Sequence, residues 1–333
     1  MAKRAIGPLF VEAVGLGCMS FSHAYGQPPA AKDAERCLHH ALDLGYDFLD
    51  TAALYGFGAN ESLIGQALAG RRDHFVLASK CGMTGVDGKR LIDGRPAALT
   101  ATLDASLSRL KTDVIDLYYL HRLDKAVPIE ESIGALSRMV EAGKVRAIGL
   151  SEVSAATLAR AHAVHPIAAL QTEYSPWSRE AEIAVLAKSR ELGVAFVAFS
   201  PLARGFLAGA VGDTARLPPG DLRRSMPRFQ GKAFKDNLEL FKGFWIIARD
   251  AGLTPAQLAL AWGLAKQAHL VAIPGTTSIS HLEENFAARD AVLPAEIVAL
   301  VDLLINQYSV HGERYPPAAQ ADVDTEQFAF DTA

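Results

Sequence analysis

The sequence lacks any run of about 18 apolar residues, the length typical of a membrane-spanning helix. Residues 1–10 include Lys3 and Arg4, but no apolar core follows them, so they do not have the pattern of a secretory signal. Cysteine is scarce: the chain has only Cys18, Cys37 and Cys81. Their number is odd, and none of them forms a CxxC motif. We therefore predict free thiols in a reducing cytoplasm, no zinc or other metal site and no membrane partner.

The chain also lacks a large net charge of either sign. The chain has 33 Lys and Arg residues against 37 Asp and Glu residues, which gives a net charge of −4. A nucleic-acid-binding protein typically carries a broad basic surface, so nucleic acid is not predicted as a partner. Apolar residues make up 50% of the chain and charged residues 21%, as in folded globular proteins.

Short apolar segments alternate with amphipathic helical patterns along most of the 333 residues. Several of these segments lack polar–apolar alternation, which is typical of parallel strands covered on both faces. The predicted strands lie at residues 14–18, 46–51, 75–80, 114–120, 145–150, 168–172, 194–199 and 270–273. Eight repeats of strand and helix predict an α/β fold, a (β/α)8 barrel of the TIM type.

A doubly wound open sheet is the structural alternative. That fold usually carries a GxGxxG motif after its first strand. Residues 15–20 read GLGCMS here, so the third glycine is missing and no helix begins there. We predict a single domain over residues 1–333, with a core at about 13–315. A short hairpin at residues 7–14 precedes the barrel, a helix at 294–308 follows it, and the tail beyond Pro316 is irregular.

Helix ends are marked by capping residues. Ser154 is predicted to cap a helix over residues 155–164, and Gly193 to end a helix over 181–192. Thr254 and Gln257 form a predicted capping box for a helix that runs to about Lys266. Ser280 and Glu283 form a second predicted capping box, for a helix that ends near Asp290.

Residues 213–232 interrupt the alternation. The segment contains three prolines, no periodicity, and five basic residues against two acidic ones. Long irregular segments in compact domains are often lids or binding loops, or else solvated insertions. We predict a loop after the seventh strand that acts as a lid over an anionic ligand, with a solvated insertion as the alternative.

The chemistry of a barrel lies where the strands end. Asp50, Lys80 and His121 end three successive predicted strands, and Tyr55 follows Asp50 closely, so we expect these four side chains to converge. An ammonium group beside a tyrosine stabilises the phenolate and lowers its pKa, which suits proton exchange with a carbonyl oxygen. A neutral histidine can hold that oxygen by a hydrogen bond. No side chain donates hydride, so a nicotinamide or flavin cofactor is required.

Several motifs carry a resemblance to a known family. They read DTAALYG (50–56), LASK (77–80), DVIDLYYLH (113–121), GLS (149–151), FSPL (199–202) and IPGTT (273–277), together with Gln171 and the pair Glu284-Asn285. With these motifs the chain resembles the aldo-keto reductases over residues 13–315. His121-Arg122 and Ser151-Glu152 resemble the bacterial and fungal branch of that family.

The resemblance implies a barrel that binds NADPH, with NADH possible, and reversibly reduces aldehydes or ketones as an enzyme of the alcohol dehydrogenase class. It implies that Tyr55 is the general acid, Lys80 its neighbour, Asp50 the partner of that lysine, and His121 the group that orients the carbonyl. The implied cofactor-binding residues are Ser151, Gln171, Phe199, Ser200, Leu202, Arg204, Gly275, Thr276, Thr277, His281, Glu284 and Asn285.

The chain departs from the family pattern in three respects. Glu152 stands where the family often has asparagine, and Phe199 stands where it often has tyrosine. Ser278 and His281 stand in a segment that often carries lysine or arginine near the 2′-phosphate of NADPH. The resemblance therefore implies a smaller preference for NADPH over NADH than in relatives with basic residues there.

The resemblance implies that the substrate is a small carbonyl compound or alcohol, and the sequence leaves its identity, the favoured direction and the oligomeric state open. Met19, Phe21, Tyr25 and Met83 are predicted to form an apolar substrate wall, with core packing under a loop as the alternative. Arg122 is predicted to pair with Glu152 or Asp50, and contact with an acidic substrate is the alternative.

Two other functions are considered. The chain would be a redox-sensing, partner-binding subunit if it bound the cofactor without turnover, as channel β-subunits that resemble this family do. A metal-dependent barrel hydrolase would require a His-x-His pair or a carboxylate cluster at the strand ends, and the ten histidines include no such spacing.

Overall fold

The fold is a parallel barrel surrounded by helices, and the computed structural model describes residues 3–22, 24–86 and 89–329. The barrel strands are β1 (Leu16–Gly17), β2 (Phe48–Asp50), β3 (Val76–Cys81), β4 (Ile115–Leu120), β5 (Val145–Ser151), β6 (Ile167–Glu173), β7 (Ala195–Phe199) and β8 (Leu270–Ile273). Each strand is hydrogen-bonded in parallel to the next strand along the chain. The predicted (β/α)8 barrel is therefore confirmed.

The barrel closes where β8 meets the first strand. Val14 is bridged to Ala272 and Gly17 to Gly275, both in parallel. The two glycines allow the backbones to approach, because a Cβ atom on Gly17 would lie 2.9 Å from the carbonyl oxygen of Ile273. A Cβ atom on Gly275 would lie 3.0 Å from the carbonyl oxygen of Gly17. We refer to this junction as the barrel seam.

Helices cover the outside of the barrel. Their bounds are α1 (Ala31–Leu44), α2 (Ala59–Ala67), α3 (Pro96–Leu110), α4 (Ile129–Glu141), α5 (Ala155–Val164), α6 (Val185–Glu191), α7 (Gly231–Asp250), α8 (Pro255–Lys266), α9 (Ile279–Ala287), α10 (Ala295–Leu304) and α11 (Pro317–Gln320). Most successive helices contact each other around the ring, and α9 lies against α1. None of these helices combines the length and apolar character that crossing a bilayer requires.

Two apolar cores result from this arrangement. One lies between the strands and the surrounding helices. The other fills the barrel interior, where Leu117, Tyr119 and Val197 are fully buried together with Ile6 and Val11 of the N-terminal hairpin. Parallel strands buried on both faces account for the continuous apolar runs in the sequence.

The N-terminal hairpin lies a few residues earlier than predicted. Its strands are Arg4–Ile6 and Leu9–Val11, and they are joined by a turn at Gly7, whose φ is +54°. The Arg4 guanidinium donates to the carbonyl oxygens of Gln267 at 2.8 Å and Leu264 at 3.2 Å. These contacts and its two core residues fix the hairpin against the barrel.

Two of the predicted helix starts are confirmed. Ser154 accepts a hydrogen bond from the Thr157 amide, and Thr254 with Gln257 forms the predicted capping box. The capping box at Ser280 and Glu283 is wrong: Ser278 precedes α9, and Glu283 instead contacts His40 at 2.9 Å.

Other predicted bounds need correction. The helix predicted at 181–192 is divided into a 3-10 turn, Glu180–Glu182, and the shorter α6. The helix predicted at 294–308 ends at Leu304, and α11 lies in the tail that was predicted to be irregular. Helix α7 and a hairpin of strands Met83–Val86 and Lys89–Ile92 were not predicted.

Candidate active site

A cleft of about 860 Å³ opens at the carboxyl ends of the barrel strands. Such a volume lies near the upper end of the range of small-molecule sites, roughly 300–1,000 Å³. Residues that end or follow β2, β5, β6, β7 and β8 line it, including Asp50, Ser151, Gln171, Phe199 and Gly275. The cleft therefore occupies the end of the barrel where function is expected.

A buried ion pair lies at the floor of this cleft. The Lys80 ammonium on β3 donates to the Asp50 carboxylate at the end of β2 and to the carbonyl oxygen of Thr51 at 2.7 Å. The other carboxylate oxygen of Asp50 accepts a hydrogen bond from Gln171 Nε2 at 2.7 Å. Since Lys80 and Asp50 are almost completely buried, these hydrogen bonds hold both charges in fixed positions.

Tyr55 and His121 complete the group of four. The Lys80 ammonium lies 5.0 Å from the centre of the Tyr55 ring. The Tyr55 and His121 rings meet edge to face, with 5.9 Å between their centres. Tyr55 begins a short turn in which Gly56 has a φ of +56°, and a Cβ atom at Gly56 would lie 2.9 Å from the Cβ atom of Ser22. The structure therefore brings the four predicted side chains together.

The ionisation of Lys80 and Tyr55 follows from their surroundings. Burial by itself would lower the pKa of Lys80. The Asp50 carboxylate and the Tyr55 hydroxyl raise this pKa by more than burial lowers it, so the net shift is upward. Burial raises the pKa of Tyr55, and the Lys80 ammonium opposes this shift without reversing it. Lys80 therefore acts on the pKa of Tyr55 in the predicted direction, but burial outweighs it and the net shift is upward, so Tyr55 is protonated at neutral pH.

His121 is held in its neutral form. Burial lowers its pKa well below the usual range, and the positive charges of Arg122, Lys80 and Arg90 lower it further. The Nδ1 atom of His121 has no hydrogen-bond partner among the described residues. A neutral imidazole at this place can donate one hydrogen bond to a carbonyl oxygen.

All twelve residues predicted to bind the cofactor line the same cleft. They are Ser151, Gln171, Phe199, Ser200, Leu202, Arg204, Gly275, Thr276, Thr277, His281, Glu284 and Asn285. Their roles stay predictions, because lining a cleft does not by itself assign a contact. Glu152, by contrast, is fully buried and accepts hydrogen bonds from Arg314 and from the amide of Glu173.

The residues at one end of the cleft fit a nucleotide. The Oδ1 atom of Asn285 is buried and has no hydrogen-bond partner in the described chain, although the residue lines the cleft. Thr276 Oγ1 accepts a hydrogen bond from the Ser278 amide at 3.1 Å, and α9 begins directly after Ser278. Helix N-termini present free amide groups that favour phosphate. An unpaired amide oxygen and a helix N-terminus match the donors and acceptors of an adenosine phosphate.

The loop after β7 is tied to the C-terminal part of the chain. Ser200, Ala203 and Arg204 all have positive φ angles, which is unusual for residues other than glycine. The Arg204 guanidinium donates to Glu173 at 2.8 Å and to the Tyr315 hydroxyl at 3.1 Å. These two hydrogen bonds fix the position of this loop at the cleft.

The predicted substrate wall is partly different in the structure. Met19, Tyr25 and Met83 line the cleft. Phe21 is 2% exposed and packs in the core between strands and helices, so the predicted place of Phe21 in the wall is wrong. Phe21 ends a 3-10 turn that begins at Met19, and this turn directs the two side chains to different surroundings.

Other cleft residues were not predicted. Arg90 comes from the missed hairpin, Leu222 and Met226 come from segment 213–232, and Tyr315 and Ala319 come from the C-terminal part of the chain. A signal for the hairpin existed, because Asp87-Gly88 is a dipeptide typical of two-residue hairpin turns. Those two residues lie outside the described part of the chain.

Three arginines of segment 213–232 make hydrogen bonds to other residues of the chain. Arg223 makes two hydrogen bonds to the Asp221 carboxylate and stacks on Tyr25. Arg224 donates to the carbonyl oxygen of Leu217, and Arg228 to the carbonyl oxygen of Trp177. Of these arginines only Arg223 lines the cleft. The segment forms ordered 3-10 turns, and its role as a lid stays a prediction.

Arg122 does not pair as predicted. Its Nη1 atom donates to the carbonyl oxygen of His121 at 2.7 Å and to Ser151 Oγ at 3.2 Å. Glu152 is bonded to Arg314, and Asp50 is bonded to Lys80. The predicted ion pair of Arg122 with either carboxylate is therefore wrong.

The three cysteines are free thiols, and all are buried. Over residues 3–22, 24–86 and 89–329, no group of three or more His, Cys, Asp or Glu side chains is arranged to hold a metal ion.

Fold and site together define a class: a (β/α)8 barrel with a tyrosine, a lysine–aspartate pair and a neutral histidine at the strand ends. The sequence model of the Aldo/keto reductase family matches residues 13–306. The chain belongs to the aldo-keto reductase family.

Individual relatives agree with this assignment. The chain is 44% identical over 324 residues to the aldo-keto reductase yakc [NADP(+)] of Schizosaccharomyces pombe, and the match covers 95% of each chain. Among solved structures, it is similar to the glycerol dehydrogenase AKR11B4 of Gluconobacter oxydans, with a TM-score of 0.84, 27% identity, and coverage of 95% of this chain and 97% of that one. An aldo-keto reductase of Klebsiella pneumoniae in complex with NADP and acetate gives a TM-score of 0.71 and 28% identity, with coverage of 95% and 98%.

Proposed function

We propose that this protein catalyses the reversible, NADPH-dependent reduction of aldehydes or ketones to alcohols, with Tyr55 as the proton donor. The observation that carries the proposal is the convergence of Tyr55, Lys80, Asp50 and His121 at the floor of one cleft. The named NADP(+) dependence of the relative from Schizosaccharomyces pombe and the NADP-bound structure from Klebsiella pneumoniae support NADPH as the cofactor.

Each of the four residues has a distinct role in this mechanism. The bound nicotinamide supplies the hydride that the carbonyl carbon receives. Tyr55 is protonated at neutral pH, so its hydroxyl can transfer a proton to the carbonyl oxygen. The Lys80 ammonium stabilises the phenolate that remains, and Asp50 holds that ammonium in place. Neutral His121 orients the carbonyl oxygen by a hydrogen bond.

The rest of the cleft accommodates the cofactor in this proposal. Ser151 and Gln171 would hold the carboxamide of the nicotinamide, and Phe199 would stack on its ring. Ser200, Leu202 and Arg204 would cover the pyrophosphate. Gly275, Thr276, Thr277 and His281 would hold the adenosine phosphate, with Glu284 and Asn285 near the adenine. All of these residues line one continuous cleft, which is the observation in favour of this placement.

The test replaces the hydroxyl of Tyr55. We expect Tyr55→Phe to lower turnover by roughly 10²- to 10⁴-fold, the usual contribution of general acid catalysis, and to leave NADPH affinity within a few-fold. Turnover is measured as loss of NADPH absorbance with an unactivated ketone, and affinity by cofactor fluorescence. Tyr308→Phe, which changes an exposed tyrosine, is the matched control.

Two results would contradict the proposal. Turnover of Tyr55→Phe close to that of the wild type would show that another group donates the proton. Tight NADPH binding by the wild type without reduction of any aldehyde or ketone in a broad panel would instead favour the redox-sensing subunit.

A further inference from the structure

Four arginines line the cleft, and three of them are paired with carboxylates. Arg90 is paired with Asp322, Arg204 with Glu173 and Arg223 with Asp221. Each of these guanidinium groups therefore has its charge balanced by the protein. The fourth, Arg122, differs from them.

Arg122 bonds only to neutral acceptors among the residues described. Both of its hydrogen bonds, to the His121 carbonyl oxygen and to Ser151 Oγ, come from the same nitrogen, Nη1. A guanidinium has five N–H donors, and two on adjacent nitrogens can bind the two oxygens of one carboxylate. Among the described residues no hydrogen bond uses the Nε or Nη2 donors of Arg122, and Arg122 lines the cleft, so a ligand there can meet these donors.

The charge of Arg122 acts at the carbonyl end of the cleft. After burial, it is the largest contribution to the lowered pKa of His121. It also opposes the upward shift in the pKa of Tyr55. The two groups proposed to contact the carbonyl oxygen therefore both lie within the field of this guanidinium.

We propose that Arg122 binds a carboxylate of the substrate, so that the preferred substrates are aldehydes or ketones with a carboxylate a few bonds from the carbonyl group. This inference rests on the proposed carbonyl reduction and specifies its substrate class. A guanidinium without a carboxylate partner, next to the group that orients the carbonyl, is the arrangement that selects such a molecule. Replacing the carboxylate by a neutral ester leaves the donors of Arg122 with a weaker acceptor.

The experiment compares acids with their own methyl esters. The pairs are 4-oxobutanoate, 3-carboxybenzaldehyde and 4-carboxybenzaldehyde, each against its methyl ester. We expect a higher kcat/KM for the acid of at least one pair, and Arg122→Gln should lower that ratio of acid to ester by roughly 10- to 100-fold, as for one charge-assisted hydrogen bond. Arg122→Lys should restore part of the ratio. Arg249→Gln, which removes an exposed arginine on α7, should leave the ratio unchanged.

Several outcomes would overturn the inference. Equal kcat/KM values for acid and ester in all three pairs would show that no cation in the cleft recognises a carboxylate. An acid preference that survives Arg122→Gln would assign the recognition to another residue. If instead neither acids nor esters are reduced, the proposed carbonyl reduction itself fails, and this result is distinct from the other two.

Discussion

The ionisation of Tyr55 and His121 determines how activity depends on pH. The pKa of Tyr55 is raised by burial, so its hydroxyl keeps the proton it donates until the pH exceeds the usual tyrosine value of about 10. The pKa of His121 is lowered by burial and by neighbouring cations, so it stays neutral below the usual histidine value of about 6.5. We expect kcat for reduction at saturating NADPH to be level from about pH 6 to about pH 9.

The measurement is a profile of kcat against pH. At the alkaline end we expect kcat to fall, because Tyr55 loses the proton that it donates. An inflection near pH 6.5 that disappears in His121→Gln would show that His121 gains a proton in the working range. That result would contradict the assignment of a neutral imidazole.

His281 determines the choice between NADPH and NADH in this proposal. It is exposed in the first turn of α9 and lines the cleft. We expect His281→Arg to tighten NADPH binding roughly tenfold or more, the effect of one charge-assisted pair, and to leave NADH binding nearly unchanged.

Dissociation constants for both cofactors, in the wild type and in His281→Arg, provide the measurement. Equal shifts for NADPH and NADH would mean that His281 does not face the 2′-phosphate.

At the level of elements, segment 213–232 divides into a part at the cleft and a part away from it. Leu222, Arg223, Ser225 and Met226 line the cleft, whereas the Arg216 side chain is 88% exposed on the outer part. We expect saturating NADPH to slow tryptic cleavage after Arg224 and to leave cleavage after Arg216 unchanged, because only the inner part is near the ligand. Mass spectrometry of the early fragments gives both rates. Cleavage after Arg224 at the same rate with and without NADPH would exclude a lid.

Strands were predicted better than their connections. The apolar runs at residues 114–120 and 145–150 mark strands because both faces of a barrel strand are buried, and the observed β4 and β5 agree to within a residue. The hairpin Met83–Val86 and Lys89–Ile92 was missed because Lys89, Arg90 and Leu91 are exposed, so no apolar pattern marks it. Its contribution to the cleft, Arg90, was missed with it.

The candidate site was predictable where side chains follow strand ends. Asp50, Lys80 and His121 converge because parallel strands direct their carboxyl ends to one edge, a property that the sequence alone conveys. Pairing between distant segments was not predictable. Glu152 binds Arg314 and Arg204 binds Tyr315, and no periodicity or spacing connects these positions.

Across the whole molecule, a buried charge network attaches the C-terminal part of the chain to the barrel. Arg314 contacts Glu152 and lies 3.5 Å from the Glu173 carboxylate, which also binds Arg204. Removing one member of such a network leaves a buried charge without a partner, at a cost of roughly 3–5 kcal/mol. We expect Arg314→Met to lower the free energy of unfolding by about that amount, measured by urea denaturation.

Two controls accompany this measurement. Arg249→Met removes an exposed arginine and should change the free energy of unfolding by no more than about 0.5 kcal/mol. Arg314→Met combined with Glu152→Gln should recover part of the loss, because the buried charge is removed as well. A loss for Arg314→Met no larger than that for Arg249→Met would show that the network does not stabilise the fold.

The same network gives a pH dependence of stability. Burial would raise the pKa of Glu173, but Arg204, Arg314 and Arg228 outweigh it and the net shift is downward. A carboxyl group with a lowered folded-state pKa contributes stability above its unfolded value of about 4.3, and this contribution is lost as the pH falls through the folded value. We therefore expect the free energy of unfolding to fall as the pH drops below that range.

The barrel seam has a consequence for how the chain folds. It joins the first strand to the last, so it is the contact of highest sequence separation in the sheet and requires the largest loss of chain entropy. Residues on both sides of it, Gly17 and Met19 on one and Gly275 and Thr276 on the other, line the cleft. A ligand in contact with both sides links the two ends of the barrel sequence as a crosslink would. Ligand concentration then sets how often the ring opens, and the amides of the seam would be the first to lose protection from hydrogen exchange when the ligand leaves.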